Sequence, residues 1–253
     1  MNDLPGLFVV GTDTGVGKTR VASRIARSWA GAGRRVGVLK PVATGAEVRD
    51  GRWISEDAEA LRAAIGPAPL DRVCPLLYEE PLAPPVAARR AGAPLLWDEL
   101  ARAVLGSLEW WSTRAEVMVV EGVGGLLCPI AEGATVADMA IALDYPLLVV
   151  AHRGLGTINH TLMTVEAARS RGLRVAGVLL NGARPTADPV AEATNAEELS
   201  RRLGGVAILG EWPHRPGEAS PILPGPVDAG VLTWYALAMM SRTGDPRRAW
   251  RID

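Results

Sequence analysis

The order of apolar and amphipathic segments predicts an α/β fold with a doubly wound, mostly parallel sheet. Two observations carry that expectation. Short, fully apolar runs alternate with longer stretches of helical spacing, the pattern of strands buried on both faces beneath helices. The first of these runs also leads through a glycine-rich loop, GTDTGVGKT (11–19), directly into a helical stretch. In such sheets ligands collect at the carboxyl ends of strands, so each motif is judged by whether it stands just after one.

The strands are expected at 7–10 (LFVV), 35–39 (RVGVL), 117–121 (VMVVE), 146–151 (PLLVVA), 174–180 (RVAGVLL) and 206–210 (VAILG). A helix over 19–32 places Val21, Ile25, Ser28 and Trp29 near one face and ends at Gly33. A second, over 55–66, has Ser55 as its N-cap and acids in its first turn. Two more are expected over 157–172 and 195–205, each running from a capping Thr or Asn to a glycine. Residues 67–98 are proline-dense and read as a long surface excursion, covering a site or a partner subunit. Residues 213–226 form a second proline- and glycine-rich stretch, and no repeats are visible. The expectation is one domain over 1–253.

Composition narrows the function. A formal net charge of −1 argues against non-specific nucleic-acid binding or a polybasic membrane surface. Cys74 and Cys128 lie far apart, without metal-ligand spacing, which favours a reducing cytoplasm over a disulfide framework. The N-terminus has no basic stretch of secretory type. The longest apolar run, 231–240, is about half of what a bilayer needs.

Lysine occurs only at 18 and 40, and the other 25 of the 27 Lys and Arg side chains are arginine. Lys18 ends the glycine-rich loop, where Gly15 and Gly17 let backbone N–H groups turn inward beside a helix N-terminus that attracts anions. A lysine there reaches the β- and γ-phosphates, and the Thr19 hydroxyl can ligate Mg²⁺. The fold is therefore expected to be P-loop NTPase-like. The standard pattern puts glycine where Thr12 stands, with Gly11 one step earlier. Plasmid-partitioning and division-site ATPases carry a second lysine inside this loop, where Asp13 and Thr14 stand here, which disfavours that reading.

Lys40 closes the second strand in KPVATG and can face the same crevice as Lys18, as a compact charge beside a small transferring group. A solvated lysine at a strand end is the plainer alternative. Glu121, at the end of the third strand and before the turn GVGG, can orient Mg²⁺; an ordinary acid before a turn would look the same. Asp57 is favoured at a helix N-terminus without any metal. GLGTINHT (154–161) follows the fourth strand into a helix, where backbone amides can hold a carboxylate. His160 reads as a packing or hydrogen-bonding residue before a catalytic one.

Together GTDTGVGKT, KPVATG, EGVGG, GTINHT, SEDAEAL and YEEPLAPPVAARRAG resemble, in one order over about residues 7–213, the dethiobiotin synthetase family. That resemblance implies an ATP-dependent cyclo-ligase of biotin synthesis. A vicinal diamine, 7,8-diaminononanoate, takes up CO₂ as a carbamate, ATP phosphorylates the carbamate, and the second amine closes a cyclic urea. It implies catalytic roles for Lys40, Lys18 and Thr14. Nucleotide contacts would come from Gly15, Val16, Gly17, Lys18, Thr19, Arg20, Asp57, Glu121, Gly122, Val123, Gly124, Asn181, Gly182 and Pro213. Substrate would meet Thr14, Lys40, Thr44, Gly156 and Asn159, and Mg²⁺ would sit on Thr19, Asp57 and Glu121. The family's site lies at a homodimer interface, with the substrate carboxylate held by the neighbouring subunit. Departures are Gly15, where several members carry glutamate, and Trp212, where isoleucine is commoner. Two other classes fit a phosphate loop, a regulatory nucleotide-binding module and a partner-switched ATPase. An amide-forming ligase of cobalamin synthesis would need a further glutamine-hydrolysing domain.

Overall fold

The computed structural model describes residues 4–183, 185, 188–214 and 236–239. In chain order these form β1 (Gly6–Gly11), α1 (Lys18–Gly31), β2 (Val36–Leu39), β3 (Ala43–Thr44), β4 (Glu47–Arg49), β5 (Arg52–Ile54) and α2 (Glu56–Ile65). There follow α3 (Leu70–Val73), β6 (Leu77–Tyr78), α4 (Pro84–Arg90), α5 (Trp97–Ser112), β7 (Val117–Gly125), β8 (Pro129–Ala131), β9 (Ala134–Thr135) and α6 (Val136–Leu143). The remainder comprises β10 (Leu147–His152), α7 (Thr157–Ser170), β11 (Val175–Asn181), α8 (Pro189–Arg202) and β12 (Ile208–Trp212).

The central sheet is parallel throughout, in the order β12-β11-β10-β1-β7-β2. From β1 the chain runs out to β2, returns to β7, then crosses to β10 and continues outward. The winding reverses beside β1, and the crevice that reversal opens lies at the strands' carboxyl edge. The inner strands carry no polar alternation because both faces are covered. Leu7, Phe8, Val9 and Val10 are fully buried, as are Val117–Val120 and Leu147–Val150. Helix α1 buries Val21, Ile25 and Trp29 as its spacing requires, while Ser28 is only half-buried.

The expected strands are present to within a few residues, and four differences bear on function. The GVGG segment is not a turn: β7 continues through it to Gly125, which pairs with Gly11 across an irregular step. A Cβ at Gly125 would lie 3.3 Å from the Thr12 carbonyl oxygen, so glycine lets the strand end pass close to the loop. Residues 67–98 are not a plain surface excursion. They hold α3, β6 and α4 and bury Val73, Cys74, Ala87, Ala88 and Leu95. Prolines 84 and 85 start α4, where a missing N–H does no harm, and β6 pairs in parallel with β3 of the KPVATG segment.

Helix α8 starts at Pro189, not at Asn195. The Asp188 side chain accepts from the Ala191 N–H at 2.9 Å and caps it. Two helices were not expected from the pattern. The stripe Trp97, Leu100, Val104, Leu108 and Trp111 of α5 emerges from the proline-dense stretch, and α6 is apolar but for its capping Asp138 and buried but for Asp138 and Ile141, so it shows no clear period. Most of 213–226 and of 231–240 lies outside the described residues, and among those described no helix is long and apolar enough to cross a membrane.

Candidate active site

The glycine-rich loop joins β1 to α1 and is shaped by two left-handed glycines, Gly15 (φ 74°) and Gly17 (φ 88°), a region that disfavours other residues. Gly17 is the N-cap of α1, so Lys18 is its first helical residue. A side chain at 17 would also collide with Asn181, whose Nδ2 lies 2.1 Å from the Cβ position. That amide donates to the Val16 carbonyl at 2.8 Å and pins the loop from β11. The displaced glycine at 11 has its own reason: a Cβ there would stand 2.9 Å from Lys18 Nζ. Lys18 folds back over the loop and donates to the Asp13 carbonyl at 3.0 Å.

Three elements deliver a charged cluster beside this loop. Lys40 follows β2, with its backbone N–H held by the Val73 carbonyl at 2.7 Å. Glu121 sits on β7 in register with Val9. Asp57 is in the first turn of α2, capped by Ser55 as expected. Lys40 Nζ lies 2.7 Å from Glu121 Oε1 and 2.8 Å from Asp57 Oδ2. The Thr19 hydroxyl lies 2.7 Å from both Asp57 Oδ1 and Glu121 Oε1, yet it has one hydrogen to give. Lys40 and Glu121 are 3% and 1% exposed, so neither charge is tolerable without the other.

The titration directions follow from this packing. Burial works to lower the Lys40 pKa, but the Glu121 and Asp57 charges outweigh it and the net direction is upward. Lys18 is lowered, first by burial and then by the Lys40 charge, against the pull of Glu121. Glu121 is raised by burial and by Asp57, against Lys40. Burial also pushes the half-exposed Asp57 up, but Lys40 and the hydrogen bonds from Lys40 and Thr19 bring it below the ordinary aspartate range.

A cavity of about 840 Å³ opens over this cluster. Of the expected site residues, Thr14, Gly15, Gly17, Lys18, Thr19, Arg20, Lys40, Thr44, Asp57, Glu121, Val123 and Gly124 line it. Both lysines therefore face one space. Val16, Gly122 and Asn181 are buried behind it: Gly122 packs on Phe8 and Val136, and the Gly182 N–H donates to the Trp212 carbonyl at 2.6 Å. Pro213 is exposed at the rim strand. Pro81, Leu82, Ala83, Cys128, Ala183 and His214 also line the cavity and were not expected. The first three arrive because β6 is hydrogen-bonded to β3, a pairing of two residues that leaves no sequence signal.

Gly156 and Asn159 are not in this cavity. Both are exposed, Gly156 as the left-handed N-cap of α7 (φ 90°). The loop before them is braced from behind. Asn195 Nδ2 donates to the Arg153 and Gly154 carbonyls, and Arg153 pairs with Glu192 and Glu211. His160, expected to pack or hydrogen-bond, has an exposed side chain, and its backbone carbonyl accepts from the Thr164 hydroxyl at 2.8 Å.

Thr19 Oγ1, Asp57 Oδ1 and Glu121 Oε1 form a hard oxygen set suited to a small divalent cation. Glu121 Oε2 is buried with no hydrogen-bond partner among the described residues, an acceptor that suits such an ion. No cluster of three His, Cys, Asp or Glu groups able to hold a metal occurs among those residues. Phosphate and water oxygens would complete the shell, which is how Mg²⁺ ordinarily binds with nucleotides.

The switch-point crevice, the glycine loop at a helix N-terminus and the paired lysines define a nucleotide-binding protein of the P-loop NTPase fold. Consistent with that class, the fold matches the MinD cell division protein of Aquifex aeolicus, with a TM-score of 0.53 over 95% of this chain and 99% of that one at 16% identity. A family model described as an AAA domain matches residues 5–221. The ATP-dependent dethiobiotin synthetase BioD of Anaeromyxobacter dehalogenans (strain 2CP-C) is 46% identical over 197 residues, covering 78% of this chain and 84% of that protein. The enzyme of the same name from Bacillus cereus (strain B4264) is 38% identical over 216 residues, 85% and 86% of the two chains. The chain belongs to the ATP-dependent dethiobiotin synthetase family.

Proposed function

We propose that this chain catalyses the ATP- and Mg²⁺-dependent carboxylation and ring closure of 7,8-diaminononanoate with CO₂, giving dethiobiotin, ADP and phosphate. The observation that carries the reading is the convergence of the chain's two lysines on one cavity that also holds the Thr19, Asp57 and Glu121 oxygens.

In this reading the loop amides and Lys18 hold the β- and γ-phosphates, and Asn181, Gly182 and Pro213 lie toward the base. Thr14, Lys40 and Thr44 hold the carbamate, with Lys40 neutralising its charge as phosphate is transferred. Mg²⁺, held by Thr19, Asp57 and Glu121, would neutralise charge on the phosphates. No protein nucleophile is required, because the diamine supplies both attacking nitrogens. The protein's work is to align reactants and exclude water.

The exposed Gly156 and Asn159 suit a second copy of this chain in a homodimer, which would bring its own cavity to them. Leu155, 82% exposed, and Met163, 54% exposed, belong to the same face. The free thiols Cys74 and Cys128 agree with a cytoplasmic location. The test supplies ATP, Mg²⁺, bicarbonate and 7,8-diaminononanoate and measures ADP and cyclic urea together. Equal yields dependent on the diamine are expected. Hydrolysis indifferent to the diamine would favour the regulatory or partner-switched ATPase instead.

A further inference from the structure

We infer that Lys40 is the site's built-in counter-cation: it neutralises Glu121 and Asp57 in the resting protein, and ligation of a divalent cation by those carboxylates releases it toward the substrate. The inference rests on the metal reading of this site given above.

Glu121 Oε1 is engaged twice, by Lys40 Nζ and by Thr19 Oγ1, each at 2.7 Å. Asp57 is shared between the same two groups, Oδ2 with Lys40 and Oδ1 with Thr19. Among the described residues, Glu121 Oε2 is the one oxygen of these two carboxylates left without a partner, so an ion that enters there and reaches Asp57 comes to lie beside both the threonine and the ammonium. The threonine adapts by rotating its hydrogen away and offering a lone pair. The ammonium has no lone pair, carries the same sign of charge, and is repelled. Lys40 is therefore the group that leaves.

Its exit leads to Thr44, which lines the same cavity, on a flexible four-carbon stem. An arginine fork would grip the two carboxylates in a planar, bidentate way and hold on. The device has two effects. In the resting state it keeps the buried Glu121 and the half-exposed Asp57 paired. In the loaded state it delivers a positive charge to the acceptor end of the cavity only once the cation is in place, so the acid to be phosphorylated is clamped after the nucleotide–metal pair.

Two measurements test this, neither of them turnover. The first is Mn²⁺ affinity of the nucleotide-free protein. Lys40→Met is expected to bind about tenfold tighter or more than wild type, since one unit of repulsion is removed next to the ligands. Lys18→Met should gain clearly less, because its ammonium bonds to the Asp13 carbonyl and not to either acid. Equal gains, or none for Lys40→Met, overturn the pairing.

The second measurement uses the wild-type chain and needs no variant to fold. With lysine only at 18 and 40, Nζ-labelled protein gives two side-chain ammonium signals. A non-hydrolysable ATP analogue alone should move the Lys18 signal. Adding Mg²⁺ should then shift the Lys40 signal and expose its protons to exchange. Lys40 protons that stay protected after Mg²⁺ is bound overturn the release. If wild type with nucleotide takes up no Mn²⁺, the metal reading itself falls and this inference with it.

Discussion

At the carboxyl edge of β1, β2 and β7, charged side chains lock one another in place beneath the surface, whereas at the head of α7 Gly156 and Asn159 stand in solvent. Lys40 and Glu121 are ordered by their own partners, with α2 bringing Asp57 to Lys40. The α7 end has no such partners in the cavity; it is a backbone surface braced from behind by Asn195 and Arg153. One region holds its charges paired within a single chain. In the proposed homodimer the other would become a site only when the second copy is laid against it.

Five measurements would break or sharpen that contrast. The largest effect is expected from Lys40→Arg, which keeps the charge but not its compact shape: kcat should fall by about 10²–10³-fold, the usual loss when one preorganised charge-stabilising group is removed. Near-normal turnover would make Lys40 an ordinary buried ion-pair residue. Gly17→Ala places a Cβ at a φ of 88° and against Asn181. It should lower stability by about 1–3 kcal/mol in thermal unfolding and abolish nucleotide binding.

At the other end, Asn159→Ala should raise KM for the diamine by about tenfold with kcat little changed, the loss of one hydrogen bond to a charged group. An equal fall in kcat would place Asn159 with the buried cluster. A smaller effect concerns acid. Asp57 is held below the ordinary value of 3.8, so its pairing contributes stability that is present above 3.8 and lost as pH falls through the depressed value. The Tm gap between wild type and Asp57→Asn should stay open from neutrality down to that value and close below it.

The smallest effect is a difference in rate. Burial pushes the Cys74 thiol up to about 12, while Cys128 is half-buried at the cavity wall and raised less sharply. Alkylation should therefore strike Cys128 first, and bound nucleotide should slow it. Labelling of Cys74 at the same rate would mean the core around β2 opens readily.

The buried region was legible because its residues sit where chain direction changes. Lys40 stands just beyond the end of β2, Lys18 ends the loop that follows β1, Glu121 closes the apolar run of β7, and Asp57 follows a capping serine, so local pattern alone puts them at the crevice. Leu82, Ala83 and His214 were not legible, because they reach the wall through β3–β6 pairing and the end of β12, contacts between distant residues with no local period. The α7 end was legible as a motif, but Gly156 and Asn159 are exposed and do not line the chain's own cavity. The MinD likeness carries the fold and nothing finer.

The hydrogen bond from Asn181 to the Val16 carbonyl spans 165 positions of chain. During synthesis, the glycine loop leaves the ribosome long before β11 exists to hold it. A nascent chain thus carries the whole loop sequence without the strut that sets its curvature, and it should gain its grip on ATP late, once the sheet's second half has closed over the first.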